Sequence, residues 1–422
     1  MSRYPYCVLN INHSQRFILA LLLLAFALPL RALEGFQYQG VVTQGAVATT
    51  DNDFYGDSTD GVSLDFTELS ISVSQVLTPS LRVAAQAMYR HAGDGYEDLD
   101  LDYAMIDYQF FSNVDATAGL RLGRFKNPIG LYNDTRDVAF TRPGVFLPQS
   151  IYADDLREPF LSTDGLAFYS SIFTNSGEWT LEFGAGKLRL EAVTEAAEQE
   201  AQKSEGFALY EDDNEQVLVG RINYAHDGGR WQLALSYLQM KYDYSDTYRE
   251  EVEPDFFEVF EETGTIENTH WILSWQYLWN SWTLSAEYDA ENYMDEFTDI
   301  EGFVESDDKA YYLQITKQLS HRWSAFYRYD VRKFDDNPLF VFEGEVIDLS
   351  EEFDDEPAIP KWVDFQKDHT VGFRWDISSN MLLMAEYHYI DGIALLPFND
   401  PSDISNNNRY WHMLAASFSY RF

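Results

Sequence analysis

The sequence contains a single cysteine, Cys7, in 422 residues. Such a chain forms no internal disulfide bond, so its stability has to come from burial and from backbone hydrogen bonds. It also lacks the thiolate cluster that many structural metal sites require. We find no Gly-x-Ser-x-Gly, no phosphate-binding glycine loop and no His-Glu-x-x-His. We therefore expect no enzyme and no bound cofactor.

Long apolar runs are equally scarce, and the one that exists lies near the N-terminus, in residues 17–30. Arg3 and Arg16 precede this run and Ala32 follows it, which is the layout of a secretory signal peptide cleaved after residue 32. No lipobox cysteine follows the predicted cleavage point, so we expect no lipid anchor. Beyond residue 33 no run approaches the roughly 20 apolar residues of a membrane-spanning helix. The sequence predicts a signal peptide over residues 1–32 and one exported domain over residues 33–422.

What the chain has instead is a high content of dispersed apolar residues. Hydrophobic residues make up 45% of it and aromatic residues 16%, yet the mean hydropathy is −0.33 because polar residues separate them. This alternation is typical of strands with one face toward lipid. Sixteen segments of about ten residues follow the period-two pattern.

The connections between these segments alternate in length. Every second one is a tight turn, and the intervening ones are longer and mostly acidic. Bacterial barrels have short periplasmic turns and long outside loops in this order. The sequence therefore predicts an all-β fold: a 16-stranded antiparallel transmembrane β-barrel of the cell outer membrane, with short periplasmic turns, long outer loops and an infolded third loop.

Four tryptophans support this register, because Trp179, Trp231, Trp282 and Trp323 each stand two residues after a short-turn residue. Tryptophan prefers the membrane interface, where its ring is buried and its N–H stays hydrated. We interpret the four as a periplasmic aromatic girdle that fixes which alternate residues face lipid. A soluble secreted β-sandwich is the alternative, but its core would not tie all four to one kind of turn.

The third long connection differs from the others in composition. Residues 121–160, the constriction segment, combine apolar residues, prolines and a group of basic residues, with no convincing strand beyond Gly123. A structureless connection of this length is usually functional. We predict that it folds into the lumen and narrows the pore, with an ordered surface loop as the alternative. The predicted constriction residues are Arg121, Arg124, Asp134, Arg136, Asp137, Arg142, Arg221, Arg328 and Arg374.

The alternation of side chains along the strands directs Arg221, Arg328 and Arg374 into the lumen. A ring of arginines there would favour anions. Alternatively each arginine pairs with an inward carboxylate and stiffens the wall, and both interpretations stay open. A third hypothesis is a transverse field, with Asp134 and Asp137 facing the wall arginines across the pore. The inward carboxylates are Glu68, Asp107, Glu287, Asp289, Asp330, Asp376 and Glu386.

The outer loops carry charge of the opposite sign. The chain has 70 acidic and 29 basic residues and a net charge of −41. Acidic loops repel anions within a Debye length of about 8 Å at physiological ionic strength, so the sign of the selectivity stays open. Asp51, Asp53, Asp57 and Asp60 have a spacing that suggests calcium but lack a complete calcium-loop pattern. We predict no metal site.

Two stretches carry a family resemblance. The last strand ends in Tyr420, Arg421 and Phe422 and resembles the outer-membrane signature, with Phe422 as the assembly signal. Residues 123–152, GRFKNPIGLYNDTRDVAFTRPGVFLPQSIY, resemble the porin superfamily that includes phosphate-selective and dicarboxylate-type trimeric porins.

The resemblance implies a Gram-negative homotrimeric porin through which small hydrophilic solutes and ions diffuse passively, with anions as the candidate class. The implied partners are outer-membrane lipid, lipopolysaccharide and the barrel assembly machinery, and we predict no nucleic-acid partner. The alternative function is a plugged barrel that acts as a surface-binding protein or receptor.

Overall fold

The computed structural model describes residues 35–93, 97–154, 157–189, 208–253, 256–298, 301–335, 337–342, 345–347, 360–396 and 407–422. The predicted signal peptide and its cleavage site lie outside the described residues. No helix in the described part of the chain is long and apolar enough to span a membrane.

The described residues form strands that pair antiparallel with their neighbours into one closed wall. β13 pairs directly with β16, and β18 returns to β1. β14 and β15 form a small hairpin beside β12, which leaves sixteen wall strands and confirms the predicted barrel. The strands are β1 Phe36–Thr49, β2 Ser63–Thr78, β3 Leu81–Ala92, β4 Glu97–Ser112, β5 Ala116–Lys126, β6 Ser162–Thr174, β7 Gly177–Lys187, β8 Ala208–His226, β9 Trp231–Glu253, β10 Phe256–Trp279, β11 Trp282–Phe297, β12 Gly302–Ser320, β13 Trp323–Lys333, β14 Leu339–Phe342, β15 Glu345–Ile347, β16 Phe365–Asp376, β17 Met381–Gly392 and β18 Tyr410–Arg421.

The wall alternates between a buried inner face and an apolar outer face, because successive side chains of a strand point in opposite directions. In β18, Trp411 and Met413 are buried inside, whereas Leu414 is 58% exposed on the outer face. Leu233 and Leu235, which the sequence assigns to the lipid side, are likewise exposed. An exposed apolar band of this kind on a closed barrel faces lipid rather than water.

One predicted outer loop is strand in the structure. The sequence predicts a loop over residues 243–267, but β9 continues to Glu253 and β10 begins at Phe256. The ladder runs on through pairs such as Tyr244 with Gly264. The aromatic and β-branched residues of this stretch suit a pleated ladder, and its acidic composition does not prevent pairing. This loop prediction is therefore wrong.

Among the described residues, the first outer loop folds into the barrel as well as the constriction segment. The constriction segment leaves β5 after Lys126, and its short helices are the 3₁₀ turns Asn133–Thr135 and Ala139–Thr141 and the helix α1, Arg157–Leu161. Its infolding confirms the sequence prediction. The first outer loop, residues 50–62, also turns inward, which the sequence pattern does not predict. Tyr55 and Gly56 reverse the chain there at φ values of 61° and 71°.

Apolar side chains of these two connections pack on the wall in two clusters. In the first, Phe54 contacts both Phe146 and Trp411. In the second, Ile129 belongs with Ile272 to a cluster on the wall between β5 and β12. Each connection thereby buries enough apolar surface to hold it inside the barrel.

Candidate pore constriction and periplasmic vestibule

Wall arginines bind the backbone of the constriction segment. Its carbonyl groups lie outside any strand ladder, and a buried carbonyl without a partner is costly. Arginine supplies several donors on one side chain and stays charged. The contacts run from Arg221 of β8 to Gly130 O at 3.0 Å, from Arg328 of β13 to Phe146 O at 3.2 Å, and from Arg374 of β16 to Arg142 O at 2.9 Å and Phe140 O at 3.1 Å.

Wall carboxylates complete this arrangement by accepting hydrogen bonds from backbone N–H groups of the segment. Glu386 of β17 accepts from Val145 N and Phe146 N at 2.9 and 3.3 Å. Glu287 of β11 accepts from Leu131 N at 2.9 Å. Hydrogen bonds to charged groups contribute about 1.5–3 kcal/mol each. The segment is therefore held along its length by charges on opposite strands of the wall.

Four of the predicted constriction residues are buried inside this packing. Arg136, Asp137, Arg142 and Arg328 are at most 6% exposed. Arg142 pairs with Glu68 of β2 at 2.7 Å. Asp137, Arg142 and Arg328 join the segment to the wall, and Arg136 donates within the segment to Tyr152 O and Ala153 O. The prediction that these four residues line the pore is therefore corrected, because their side chains are buried in this packing.

Arg124 is also wrong as a constriction residue. It shares the parity of Leu122, which is 58% exposed on the outer face. Its guanidinium forms a two-bond pair with Asp164 at 2.7 and 2.8 Å. The residue thus lies on the outside of the barrel at the loop end of β5. The resemblance placed it in the segment, but the alternation of the strand decides its face.

The four remaining predicted residues keep contact with solvent. Asp134 and Arg121 retain 40% and 28% side-chain exposure, and Arg221 and Arg374 retain 14% and 17%. Arg221 touches Asp134 at 2.7 Å. Because these opposite charges are in direct contact, they cannot set up a field across a water-filled gap. The transverse-field hypothesis is wrong for this pair, and wall pairing describes it.

A cavity of about 340 Å³ opens at the short-turn end of the barrel, beside Phe140 of the constriction segment. We call it the periplasmic vestibule. Arg374 is neutralised there by Asp376, at 2.8 and 3.1 Å. Arg421 lies 4.5 Å from the Phe140 ring, and Arg322 is exposed. The vestibule is lined by Phe140, His321, Arg322, Arg374, Asp376, Ser378, Ser379 and Arg421.

The vestibule therefore has a net positive charge in a strongly acidic protein. The Arg322 guanidinium makes no hydrogen bond or ion pair to any described residue. Arg421 donates from Nε to Ser379 O at 2.6 Å and has other N–H groups to offer. Neither Arg322 nor Arg421 is among the residues predicted from the sequence, because Arg322 lies in a tight turn and Arg421 in the terminal signature. Their proximity to a short turn was the available signal.

The first outer loop is clamped to the constriction segment by a buried network. Tyr55 donates its hydroxyl to Asp154, and Arg90 of β3 and Arg136 lie 3.1 and 3.4 Å from that carboxylate. Burial opposes ionisation of the Asp154 carboxyl, but the two guanidinium groups outweigh it and hold its pKa below the ordinary value. Burial, reinforced by Asp154, raises the pKa of Tyr55. The clamp is thus ionic at neutral pH.

The predicted girdle and assembly residues lie at the short-turn end of the barrel. Trp231, Trp282 and Trp323 are the first residues of their strands, and Trp179 is the third of β7. Trp323 stacks on Trp375 of the next wall strand at 4.5 Å. Phe422 follows β18 and exchanges backbone hydrogen bonds with Gly40 at 3.0 Å in both directions.

Among the described residues, His270, Asp289 and Glu291 are the only group close enough to share a metal ion. Arg332 already binds Glu291, and His270 Nδ1 lies 2.9 Å from Asp289 Oδ2. This group suits an ion network better than a cation site, because the Arg332 guanidinium already binds the Glu291 carboxylate. Asp51, Asp53, Asp57 and Asp60 do not converge, and Asp53 accepts from Thr59 N and Oγ1 instead.

The closed wall, apolar outer band and infolded connection together define an outer-membrane β-barrel. No protein-family model matches the chain, and no curated protein matches it. Solved structures match it across the barrel. The anion-selective porin from Comamonas acidovorans is 10% identical, with 92% of this chain and 99% of that chain covered and a TM-score of 0.52.

Two further structures are similar to the same extent. The outer membrane channel DcaP of Acinetobacter baumannii is 10% identical over 92% of this chain and 97% of that chain, with a TM-score of 0.50. OmpT of Vibrio cholerae, in its trimer form, is 10% identical over 92% and 99%, with a TM-score of 0.50. At this identity the likeness establishes the fold, and the solute has to be argued from this chain's own residues.

Proposed function

We propose that the protein is a porin-like outer-membrane channel through which small hydrophilic solutes diffuse passively, with a preference for anions. The observation that carries the preference is the periplasmic vestibule, where Arg322 and Arg421 are accessible and Arg374 is neutralised by Asp376. Arginine is the side chain best suited to carboxylate and phosphate groups. The buried arginines of the constriction segment do not contribute, because their charge is already paired.

The acidic outer loops act against this preference at a distance. Their potential falls off over about 30 Å at 0.01 M salt but about 3 Å at 1 M salt. A solute in the vestibule instead contacts the guanidinium groups directly. We therefore expect the anion preference to be clearest at high salt, where the loop charges are screened.

The remaining parts of the proposal concern the assembly of the barrel. Its solved relatives include a trimer form, and we propose a homotrimer here. The tryptophans of β7, β9, β11 and β13 form the periplasmic girdle, supported by their common place at short turns. Phe422 provides the assembly signal for the barrel assembly machinery.

Planar-bilayer recording tests the channel and its selectivity together. Purified protein should insert with stepwise openings, and the reversal potential in a potassium chloride gradient should indicate anion preference at high salt. The double variant Arg322→Ala/Arg421→Ala should shift the reversal potential toward cations. Arg230→Ala is the control, because Arg230 is also an exposed arginine of a short turn but is not in the vestibule lining and pairs with Asp227.

Each outcome bears on a different part of the proposal. An absence of conductance would refute the channel. A cation-selective wild type at high salt would refute the anion preference while leaving the channel intact. Equal shifts in the double variant and in Arg230→Ala would mean that any positive charge at this end acts alike, and the vestibule would lose its role.

A further inference from the structure

A small buried cavity lies between the constriction segment and the wall strands β2 and β3. Its volume is about 20 Å³, and one water molecule needs roughly 10–15 Å³. The cavity shares no lining residue with the periplasmic vestibule. We call it the arginine cavity, because its lining combines four apolar residues with the charged residues Glu68, Arg90, Arg136, Arg142, Asp154 and Arg157.

Positive charge is in excess in this lining, where four arginines accompany two carboxylates. Glu68 is shared by Arg90 and Arg142, at 3.5 and 2.7 Å. Asp154 is shared by Arg90 and Arg136, at 3.1 and 3.4 Å. Each of these arginines therefore has an ion-pair partner, but every carboxylate of the lining is divided between two guanidinium groups.

The ion pairs just behind the lining do not remove the excess. Arg157 lies 3.5 Å from Asp102 and 3.6 Å from Asp137, but Lys126 also binds Asp137. With these residues included, five cations accompany four carboxylates, and the cluster keeps one positive charge in a chain whose net charge is −41. A buried charge without compensation is costly.

The lining also holds hydrogen-bond donors without an acceptor. Arg136 Nη1 and Arg90 Nε make no hydrogen bond to any described residue, and the two residues are 3% and 8% exposed. Burial and the nearby guanidinium group of Arg157 lower the pKa of Arg136, although Asp154 opposes this. Leaving a buried donor unsatisfied is costly. The surroundings of Arg136 therefore call for an acceptor that carries negative charge.

The size of the cavity decides which acceptor fits. A water molecule can accept hydrogen bonds from both N–H groups, but it is neutral and leaves the excess charge as it is. Sulfate and phosphate carry four oxygens each and are too large for a space little larger than one water molecule. A monoatomic anion fits the volume, accepts from several donors at once and compensates the charge.

We propose that the arginine cavity binds one chloride ion, held by Arg136 and Arg90. Arg136 belongs to the constriction segment, whereas Arg90 belongs to β3, so an ion bound by both residues joins the segment to the wall. The apolar side chains of Phe66 and Phe146 close the lining, and the ion is a structural ligand rather than a permeating solute. The assignment is independent of the anion preference, which rests on the vestibule.

The first experiment locates the ion in the wild-type protein. The protein is purified and crystallised in potassium bromide, because bromide replaces chloride and scatters anomalously at the bromine absorption edge. We expect an anomalous peak in the arginine cavity, within hydrogen-bonding distance of Arg136 Nη1. A peak confined to the vestibule beside Arg322 and Arg421 would overturn the proposal, and so would a cavity that holds only water.

The second experiment measures urea-induced unfolding in potassium chloride and in potassium gluconate at equal ionic strength. A ligand that binds only the folded protein raises the ratio of folded to unfolded protein about tenfold for each tenfold increase in its concentration above the dissociation constant. Chloride should have this effect. Gluconate should not, because it is too large for the cavity.

Two variants assign the chloride effect to the cavity. Arg136→Met removes one positive charge and the unpartnered N–H group, so the dependence on chloride should be lost. Arg124→Met is the control, because Arg124 pairs with Asp164 on the outer face, and it should keep the full dependence. Equal dependence in Arg136→Met and the wild type would overturn the proposal, as would its loss in Arg124→Met. If Arg136→Met does not fold, the bromide position in the wild type decides.

Discussion

The arginines buried in the packing of the constriction segment and those of the periplasmic vestibule carry the same charge in different surroundings. Arg142 and Arg328 are 6% and 1% exposed and bind Glu68 and the Phe146 carbonyl. Arg322 is exposed at the edge of an open cavity. Burial and pairing therefore remove Arg142 and Arg328 from the pore, whereas an inward-facing arginine that is exposed and keeps unused N–H groups stays a pore charge.

The largest effect should come from removing a buried charge of the constriction segment. In Arg142→Met, Glu68 stays buried and keeps Arg90, at 3.5 Å, as its ion-pair partner among the described residues. Breaking a buried pair costs about 3–5 kcal/mol, and Arg90 should keep the loss near the lower limit. We expect the segment to leave the wall and the single-channel conductance to rise.

Arg124→Met is the control for that experiment, because it removes an arginine–carboxylate pair from the outer face. Its conductance should equal that of the wild type. If both variants conducted alike, the buried pair would have no special part in holding the segment, and the comparison between the two groups of arginines would fail.

A smaller effect should follow from neutralising one carboxylate while keeping its shape. Glu386→Gln weakens the hydrogen bonds from Val145 N and Phe146 N, because charged acceptors contribute about 1 kcal/mol more per bond than neutral ones. We expect a loss of about 2 kcal/mol, seen as faster proteolytic cleavage within the segment. Glu215→Gln, on a rim ion pair, should change the cleavage rate little. Equal cleavage rates in the two variants would contradict the anchoring role.

Acid should produce the smallest effect. The folded pKa of Asp154 is depressed, so its ion pairs stabilise the clamp fully above the unfolded value of about 3.9 and are lost as pH falls through the folded value. The contribution of Asp154 to the conductance should therefore stay constant from pH 7 to about 4.5 and change only below about 4. Asp154→Asn should remove part of that acid step. An unchanged acid profile in this variant would assign the step to other carboxylates.

Several features of the fold could be predicted because they depend on local pattern. The alternation of Leu233 and Leu235 with polar residues indicates a wall with one lipid face, and the tight turns before Trp282 and Trp323 give its orientation. The constriction segment is recognisable by its length and prolines. The infolding of the first outer loop cannot be recognised in this way, because it depends on the contacts of Tyr55 with Arg90 and Asp154. Both partners lie far from Tyr55 in the sequence.

The sequence by itself determined the barrel, its strand count and the face on which each strand residue lies, since these follow from a period of two and from the order of the connections. The sequence also places a group of basic residues in the constriction segment. Only the tertiary structure decided what each arginine does. Arg328 donates to the Phe146 carbonyl, Arg124 pairs with Asp164 on the outer face, and Arg322 lines the vestibule. Parity sets a side chain's direction, but its partner depends on where an irregular segment folds.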